Sequence, residues 1–226
     1  MESKGLKIGI CGGTFDPIHM GHLAIAELVR CEFKLDKVLF VPSGMPPHKN
    51  LSIVTDPSDR LAMVKCAVST NPYFEASAIE VERDGYTYAV DTLNELHKMY
   101  SSGTTFYYII GADVVMDLLT WKRVEEVFVL TKFISVMRTG FLDEEYNERL
   151  KSLKRKFDID ITSFEAPLIE ISSTFIRDRI KNKLSAKYLV NECVEEYIKK
   201  NNLYEGNIPY ESSWNGWITE EVLETK

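Results

Sequence analysis

The sequence predicts an α/β fold in which the strands of a parallel sheet alternate with helices. Two observations lead to this prediction: short apolar runs that stop at glycine or proline, and intervening segments whose apolar residues recur at helical spacing. The 226 residues, of which 45% are hydrophobic, can bury a core without disulfides or a structural metal. Since parallel strands are joined by right-handed crossovers, we expect ligands beyond the carboxyl ends of the strands.

Six apolar runs are predicted to be the strands of this sheet. Each is short and continuous, which is typical of strands that are buried on both faces. Glycines and polar residues follow several of them, and these mark the edge at which we expect the functional site. In chain order the predicted strands cover residues 6–11, 37–42, 74–81, 106–110, 133–137 and 157–162.

The segments between the strands are predicted to be helices. Asp56 as an N-cap and Pro57 at the first helical position indicate the start of the second helix. Four apolar residues spaced three apart, the last of them Met99, give the third helix a buried stripe. The predicted helices cover residues 21–34, the segment after 56, the segment around 90–99, and residues 144–156, 174–183 and 190–201.

The charge of the chain limits the classes of partner. A net charge of −7 and a pI near 5.3 argue against a general nucleic-acid binder, which would show a basic stripe. No window approaches the roughly 18 consecutive apolar residues of a membrane helix, and the N-terminal apolar run is too short for a signal peptide. We therefore expect a cytoplasmic protein without a nucleic-acid or membrane partner.

The four cysteines lie in apolar stretches and lack the spacing of metal ligands. They are Cys11, Cys31, Cys66 and Cys193. We expect buried, reduced thiols, as in a reducing compartment.

The segment GGTFDPIHMGH, residues 12–22, is the most informative in the chain. Gly12 and Gly13 follow a predicted strand and allow the backbone to approach a ligand. The helix that follows presents unpaired N–H groups, which suit phosphate. His19 and His22 are three residues apart and share one face of its first turn. The pair could also be half of a metal site, but no third ligand with convincing spacing lies nearby.

A second segment, ISSTFIR at residues 171–177, has the same character. Three consecutive hydroxyls, from Ser172 to Thr174, exceed what one helix N-cap needs. Arg177 follows Ser173 by one turn, so its guanidinium can reach the space in front of the helix amides. We therefore predict that two helix starts, distant in the chain, converge on one polyphosphate.

Together these strings resemble the bacterial nicotinate-mononucleotide adenylyltransferases of the HxGH nucleotidyltransferase superfamily. The likeness extends through PPHK (46–49), GYTYAVDT (85–92), IIGAD (109–113) and Trp121. It implies a Rossmann-like, doubly wound parallel sheet with helices on both faces and a small C-terminal helical part. It implies one nucleotidyltransferase domain over residues 1–206, and the tail 207–226 has no counterpart in the family. Met116 also departs from the family pattern.

The resemblance implies that ATP and nicotinate mononucleotide give the dinucleotide and pyrophosphate, with Mg²⁺ bound to the ATP phosphates. The oligomeric state stays open, with a homo-oligomer allowed. Catalysis is assigned to His19, His22, Arg177 and Lys49. ATP binding is assigned to Gly12, Gly13, Thr14, Phe15, His19, His22, Gly111, Asp113, Ser172, Ser173, Thr174, Ile176 and Arg177. Binding of the mononucleotide is assigned to Tyr86, Thr87, Trp121, Lys49 and Asp113.

Several alternatives stay open at this point. A sibling enzyme would adenylate phosphopantetheine or attach cytidylate to another phosphate, and a regulatory protein would bind the nucleotide without turnover. A class I aminoacyl-tRNA synthetase also uses two histidines, but the acidic charge and the lack of room for a tRNA-binding domain count against it. Without the resemblance, Trp121 would be read as a core residue, Thr87 and Asp113 as helix caps, and Lys49 as a solvated lysine.

Overall fold

The computed structural model describes residues 5–47, 50–138, 144–167 and 169–205. Its centre is one six-stranded parallel sheet with the strand order β3-β2-β1-β4-β5-β6. The order reverses between β1 and β4, which makes the sheet doubly wound and places a crevice at the carboxyl ends of these two strands. The strands are β1 Lys7–Gly13, β2 Lys37–Pro42, β3 Phe74–Ala76, β4 Thr105–Gly111, β5 Lys132–Arg138 and β6 Ile161–Ala166.

Eight α-helices connect or follow these strands within the described residues. Short 3₁₀ turns at Leu51–Ile53 and Leu118–Thr120 complete the connections. The helices are α1 Met20–Phe33, α2 Pro57–Val68, α3 Ala89–Met99, α4 Ala112–Asp117, α5 Val124–Leu130, α6 Glu144–Lys156, α7 Ser173–Lys181 and α8 Glu192–Lys200. None of the helices in these ranges has both the length and the apolar character that a bilayer crossing requires.

The core consists of two apolar layers, one on each face of the sheet. Along β2 the side chains alternate: Val38 and Phe40 pack into one layer, and Leu39 and Val41 pack into the other. Helices α1, α2, α7 and α8 cover the first face, and α3 to α6 cover the second. The continuous apolar runs in the sequence therefore have the cause that was predicted, since a strand covered by helices on both sides has no polar face.

The start of α2 confirms the predicted cap. The carboxylate of Asp56 accepts a hydrogen bond of 2.8 Å from the backbone N–H of Ser58, and Pro57 occupies the first helical position. The cap satisfies one of the amide groups that a helix N-terminus leaves unpaired, and proline there removes another.

Two predicted strands have the wrong extent. The strand predicted for 74–81 ends at Ala76, because Ser77 donates to the Phe40 carbonyl and the chain then turns, so that the Glu80 carboxylate meets Thr92. The strand predicted for 157–162 begins only at Ile161, since the N–H of Phe157 still bonds to the helical carbonyl of Leu153. The apolar residues just before β6 pack over the end of α6 instead.

The third helix buries a narrower stripe than predicted. Val90, Leu93 and Leu96 are buried, but Met99 is 67% exposed. Each three-residue step falls about 60° short of a full turn, so the residue three steps after Val90 lies on the opposite side of the helix. Helices α4 and α5 were not predicted, since each is too short to show a helical period clearly.

The cysteine prediction was wrong for three of the four residues. Cys66 on α2 and Cys193 on α8 form a disulfide with a Cα–Cα distance of 6.1 Å, and Cys31 is exposed. Cys66 and Cys193 are 127 residues apart in the sequence, so spacing could not reveal that α8 packs against α2. Cys11 is a free cysteine of intermediate exposure, and burial of its thiol raises its pKa to about 12. The tail 207–226 lies outside the described residues.

Candidate active site

The loop between β1 and α1 brings the two predicted histidines into direct contact. Their rings stack with centroids 3.6 Å apart, and the backbone N–H of His19 donates to Nδ1 of His22 at 3.2 Å. Phe15, at a φ of +51°, packs its ring edgewise against His22 at 5.0 Å. Gly21 leaves room for the His19 ring, because a Cβ at this position would lie 3.1 Å from its Nδ1 and the ring would have to shift. The backbone and Phe15 therefore fix the orientation of the His22 ring.

Both imidazoles are neutral at physiological pH. Burial lowers the pKa of His19 to about 4, and burial together with the neighbouring His19 lowers the pKa of His22 to about 3. Because Nδ1 of His22 accepts a hydrogen bond, its single proton resides on Nε2, which makes Nε2–H a donor. Nδ1 of His19 is buried and has no hydrogen-bond partner among the described residues.

The histidines line a cavity of about 600 Å³ at the carboxyl ends of β1, β4 and β5. Its polar side is formed by Gly12, the two histidines, Gly111 and Asp113. Apolar side chains, among them Ile25 and Val136, form the other side. This volume lies within the range of ligand pockets that bury small molecules.

A second cavity of about 330 Å³ lies beside the first one. Gly12 and Gly111 line both cavities, so the ends of β1 and β4 separate them. The predicted site residues that line this second cavity are Gly12, Gly13, Thr14, Gly111, Thr87 and Trp121. The sheet thus presents two adjoining pockets at its switch point, where a doubly wound fold binds its ligands.

The second predicted segment packs against the histidine loop. Oγ of Ser173 donates to the carbonyl of Pro17 at 2.9 Å, and Nη1 of Arg177 donates to the carbonyl of Asp16 at 2.7 Å. These contacts join residues 156 and 161 positions apart, so the two helix starts meet as predicted. Nη2 of Arg177 also donates to Oγ1 of Thr174 at 3.3 Å.

Not every residue of this segment faces the cavity. Oγ of Ser172 caps α7 by accepting from the N–H of Phe175 at 3.1 Å, and Ile176 is fully buried in the core. Ile171 lines the 600 Å³ cavity, whereas residues 172–177 are absent from the described lining. The hydrogen bonds of Ser173 and Arg177 therefore hold this segment against the histidine loop.

Of the residues predicted to bind the mononucleotide, some line a cavity and others do not. Thr87 is buried in the lining of the 330 Å³ cavity, and its N–H donates to the Met45 carbonyl at 3.1 Å. Trp121 lines the same cavity and packs edgewise against Tyr108 with ring centroids 5.5 Å apart. Tyr86 is 54% exposed and is not in the described lining, and Lys49 lies outside the described residues.

Comparison with known proteins shows the family of the chain. The Cytidylyltransferase-like family model matches residues 10–179. The probable nicotinate-nucleotide adenylyltransferase of Thermoanaerobacter sp. (strain X514) is 47% identical over 201 residues, which cover 89% of this chain and 95% of that protein. The protein of the same name from Desulfitobacterium hafniense (strain Y51) is 48% identical over 198 residues, covering 88% and 95%. The chain belongs to the nicotinate-nucleotide adenylyltransferase family.

A solved structure confirms the predicted Rossmann-like fold. The nicotinic acid mononucleotide adenylyltransferase of Plasmodium falciparum, complexed with NaAD, superposes with a TM-score of 0.69 at 22% identity. The match covers 88% of this chain and 97% of the Plasmodium chain. The chain therefore shares the fold of that structure.

The sequence patterns missed several residues at this family's site. Glu80 lines the 330 Å³ cavity as a buried carboxylate that accepts a hydrogen bond of 2.6 Å from Thr92, and burial raises its pKa. Asp16 is buried, and Oδ1 accepts from the Tyr204 hydroxyl at 2.8 Å. A carboxylate inside an apolar run was the one available signal for Glu80. The Tyr204 contact spans 188 residues and left no local pattern.

Proposed function

We propose that this protein transfers the adenylyl group of ATP to nicotinate mononucleotide, giving nicotinate adenine dinucleotide and pyrophosphate. The observation that supports it most directly is the pair of adjoining cavities that share Gly12 and Gly111. Two substrates that must react end to end need two pockets with a common wall. The relatives at 47% and 48% identity carry the name of this activity.

In this proposal ATP occupies the larger cavity and the mononucleotide occupies the smaller one. The larger cavity contains both histidines, whose ring N–H groups provide donors for phosphate oxygens. The smaller cavity contains Trp121, whose indole can contact an electron-poor pyridinium ring, and the buried Thr87. The α-phosphorus then lies near the shared wall, within reach of the acceptor phosphate.

The acceptor phosphate acts as the nucleophile. Its second pKa is about 6, so it is mostly dianionic at neutral pH and needs no general base. One of its oxygens forms a bond to the α-phosphorus as the bond from that phosphorus to pyrophosphate breaks in line. Catalysis then consists of positioning and of stabilising the charge that develops on the leaving group.

The neutral histidines suit this task as hydrogen-bond donors. Nε2–H of His22 donates toward the phosphates, because its Nδ1 is already engaged by the backbone. Arg177 holds the histidine loop through the Asp16 carbonyl, and we assign its positive charge to neutralising the polyphosphate. We also assign Lys49 to charge neutralisation at the acceptor phosphate.

Mg²⁺ enters this scheme as part of its substrate, MgATP. Among the residues that the structure describes, no group of three His, Cys, Asp or Glu side chains gathers as a metal site. An ion held mainly by phosphate oxygens fits this donor set, since Mg²⁺ keeps several waters and binds through substrate phosphates. Asp113 lines the larger cavity, and its carboxylate could accept a hydrogen bond from one of those waters.

The test supplies purified protein with MgATP and one of three acceptors. These are nicotinate mononucleotide, nicotinamide mononucleotide and phosphopantetheine. We expect pyrophosphate release and dinucleotide formation with the pyridine mononucleotides, and we expect the acid to be the better acceptor. Release only with phosphopantetheine would identify the sibling enzyme instead. No release with any of the three would favour a nucleotide-binding protein without turnover.

A further inference from the structure

Arg60 on α2 connects three separate parts of the backbone. Its side chain is 0% exposed, and its guanidinium donates to three carbonyl oxygens. Nε reaches Thr55 at 2.8 Å, Nη1 reaches Thr14 at 2.7 Å and Nη2 reaches Gly44 at 3.0 Å. The planar fork of arginine can serve three acceptors in different directions, whereas the single ammonium of lysine is a point donor.

Two of these acceptors belong to the loops that form one wall of the 330 Å³ cavity. Gly13, the last residue of β1, and Thr14, which follows it, line this cavity. Ser43, Pro46 and Pro47, after β2, line it as well. Because one rigid group bonds both loops, the guanidinium fixes the separation between the two halves of this wall.

The charge of Arg60 is costly in this position. Burial lowers the pKa of its guanidinium, and the nearby Asp16 carboxylate acts in the opposite direction. Asp16 is itself held by the Tyr204 hydroxyl at 2.8 Å and by the N–H of Thr55 at 3.3 Å. A packed apolar side chain often stabilises a core as well as a buried ion does. A role in holding the loops explains why a guanidinium occupies this position.

We propose that Arg60 is a positioning residue that fixes the loops after β1 and β2 and thereby sets the affinity for the mononucleotide acceptor. This inference rests on the proposed function. It assigns Arg60 to the acceptor cavity in particular, since its contacts reach the loops of the 330 Å³ cavity and the described lining of the larger cavity includes neither Thr14 nor Gly44.

The test compares Arg60→Lys and Arg60→Met with Met63→Ala as the matched control. Met63 is also 0% exposed and lies one turn further along the same helix, so its truncation lowers stability without removing the guanidinium contacts. We expect both Arg60 variants to raise KM for nicotinate mononucleotide about tenfold or more, while KM for ATP changes less than about threefold. Arg60→Lys should have the smaller effect, because it keeps one donor. Met63→Ala should lower Tm and leave both KM values close to wild type.

The outcomes separate the two proposals. Equal changes in both KM values, or the same selective change in Met63→Ala, would show that Arg60 is only structural. If Arg60→Met does not fold, the KM values of Arg60→Lys decide the matter. Calorimetric titration with nicotinate mononucleotide alone gives a second readout, in which we expect about tenfold weaker binding to Arg60→Lys. A wild-type protein that neither transfers adenylate nor binds the mononucleotide would overturn the proposed function and, with it, this inference.

Discussion

The two cavities at the switch point differ in how the chain builds them. The larger one takes its polar wall mainly from one contiguous string, in which residues 12–22 supply a strand end, a loop and the first turn of a helix. The smaller one draws on five separate segments, after β1, after β2, before α3, along β4 and after α4. A local string fixes its own geometry, whereas a composite wall depends on the packing of distant parts.

They also differ in their titratable groups. The larger cavity contains the Asp113 carboxylate and two imidazoles that burial keeps neutral, with pKa values of about 4 and 3. The smaller one contains the buried carboxylate of Glu80 and, at its rim, the exposed Lys122, whose ammonium lies 3.9 Å from the ring centroid of Tyr88. We infer that the larger cavity is suited to hydrogen bonding with phosphates, and that the smaller cavity is suited to discrimination between acceptors.

The largest effect should come from the histidines. We expect His19→Ala and His22→Ala each to lower kcat at least about a hundredfold, because each removes a donor that acts on the charge developing in the transition state. Steady-state kinetics with both substrates would measure this, and circular dichroism would verify the fold. His97→Ala is the control, since this residue on α3 is exposed, its ring bonds to the Leu130 carbonyl, and it is absent from the described lining of both cavities. A kcat near the wild-type value in a folded His19 or His22 variant would contradict the assignment.

The same pair should make stability depend on pH. Since the folded pKa values of His19 and His22 lie below the ordinary 6.5, their contribution is present above pH 6.5 and is lost as pH falls toward 4 and 3. We expect the double variant His19→Gln/His22→Gln to lose less stability than wild type between pH 7 and pH 4.5, by on the order of 5 kcal/mol for the two rings together. Urea unfolding at the two pH values would measure the difference. Parallel losses in the two proteins would show that the rings titrate normally.

The sequence predicts features that depend on local strings better than features that depend on the packing of distant parts of the chain. The fold class, the presence of cavities at the carboxyl ends of the strands and the meeting of residues 12–22 with 171–177 were predictable, because each depends on a local pattern and on the edge where parallel strands end. The predicted lengths of β3 and β6 were wrong. Strand β3 is shorter because the chain turns and brings the Glu80 side chain inward to Thr92. Strand β6 starts later because the last hydrogen bond of α6 still includes the N–H of Phe157.

Residues that hold the loops of the site in place could not be found from local sequence patterns. Arg60 and Asp16 are ordinary charged residues in the sequence, and their roles arise only when α2 and Tyr204 pack beneath the loops. The disulfide between Cys66 and Cys193 has the same origin, since it joins two helices that only the fold brings together. Contacts between residues 46, 127 and 188 positions apart leave no periodicity for a sequence pattern to detect.

Trp121 tests whether the smaller cavity holds the pyridine ring. If its indole contacts the ring, Trp121→Ala should raise KM for nicotinate mononucleotide about tenfold and change KM for ATP less than about twofold. Its edgewise contacts with Tyr108 and Phe133 mean that Tm should fall as well. Phe128→Ala is the control, because this buried ring also packs against Phe133 and is absent from the described lining of both cavities. If Phe128→Ala raised the same KM as strongly, Trp121 would be a core residue alone.

The smallest effect should come from Glu80, and it concerns the choice of acceptor. The Glu80 carboxylate lines the cavity proposed for a ligand that is itself anionic. The nearby guanidinium of Arg83 forms an ion pair of 2.8 Å with Glu95, so its charge is not available to Glu80 alone. Glu80→Gln keeps an acceptor for Thr92 and removes the charge, so we expect the preference for the acid over the amide mononucleotide to rise about fivefold. The ratio of the two kcat/KM values measures this preference, with Glu75→Gln on the exposed face of β3 as the control for charge alone.

An unchanged ratio in Glu80→Gln would mean that Glu80 is already protonated in the folded protein, the direction in which burial shifts its pKa. A pH series would separate the two cases, because a protonated Glu80 would lose its proton as pH rises, and the ratio in the wild type would then fall toward high pH while that of Glu80→Gln stayed constant.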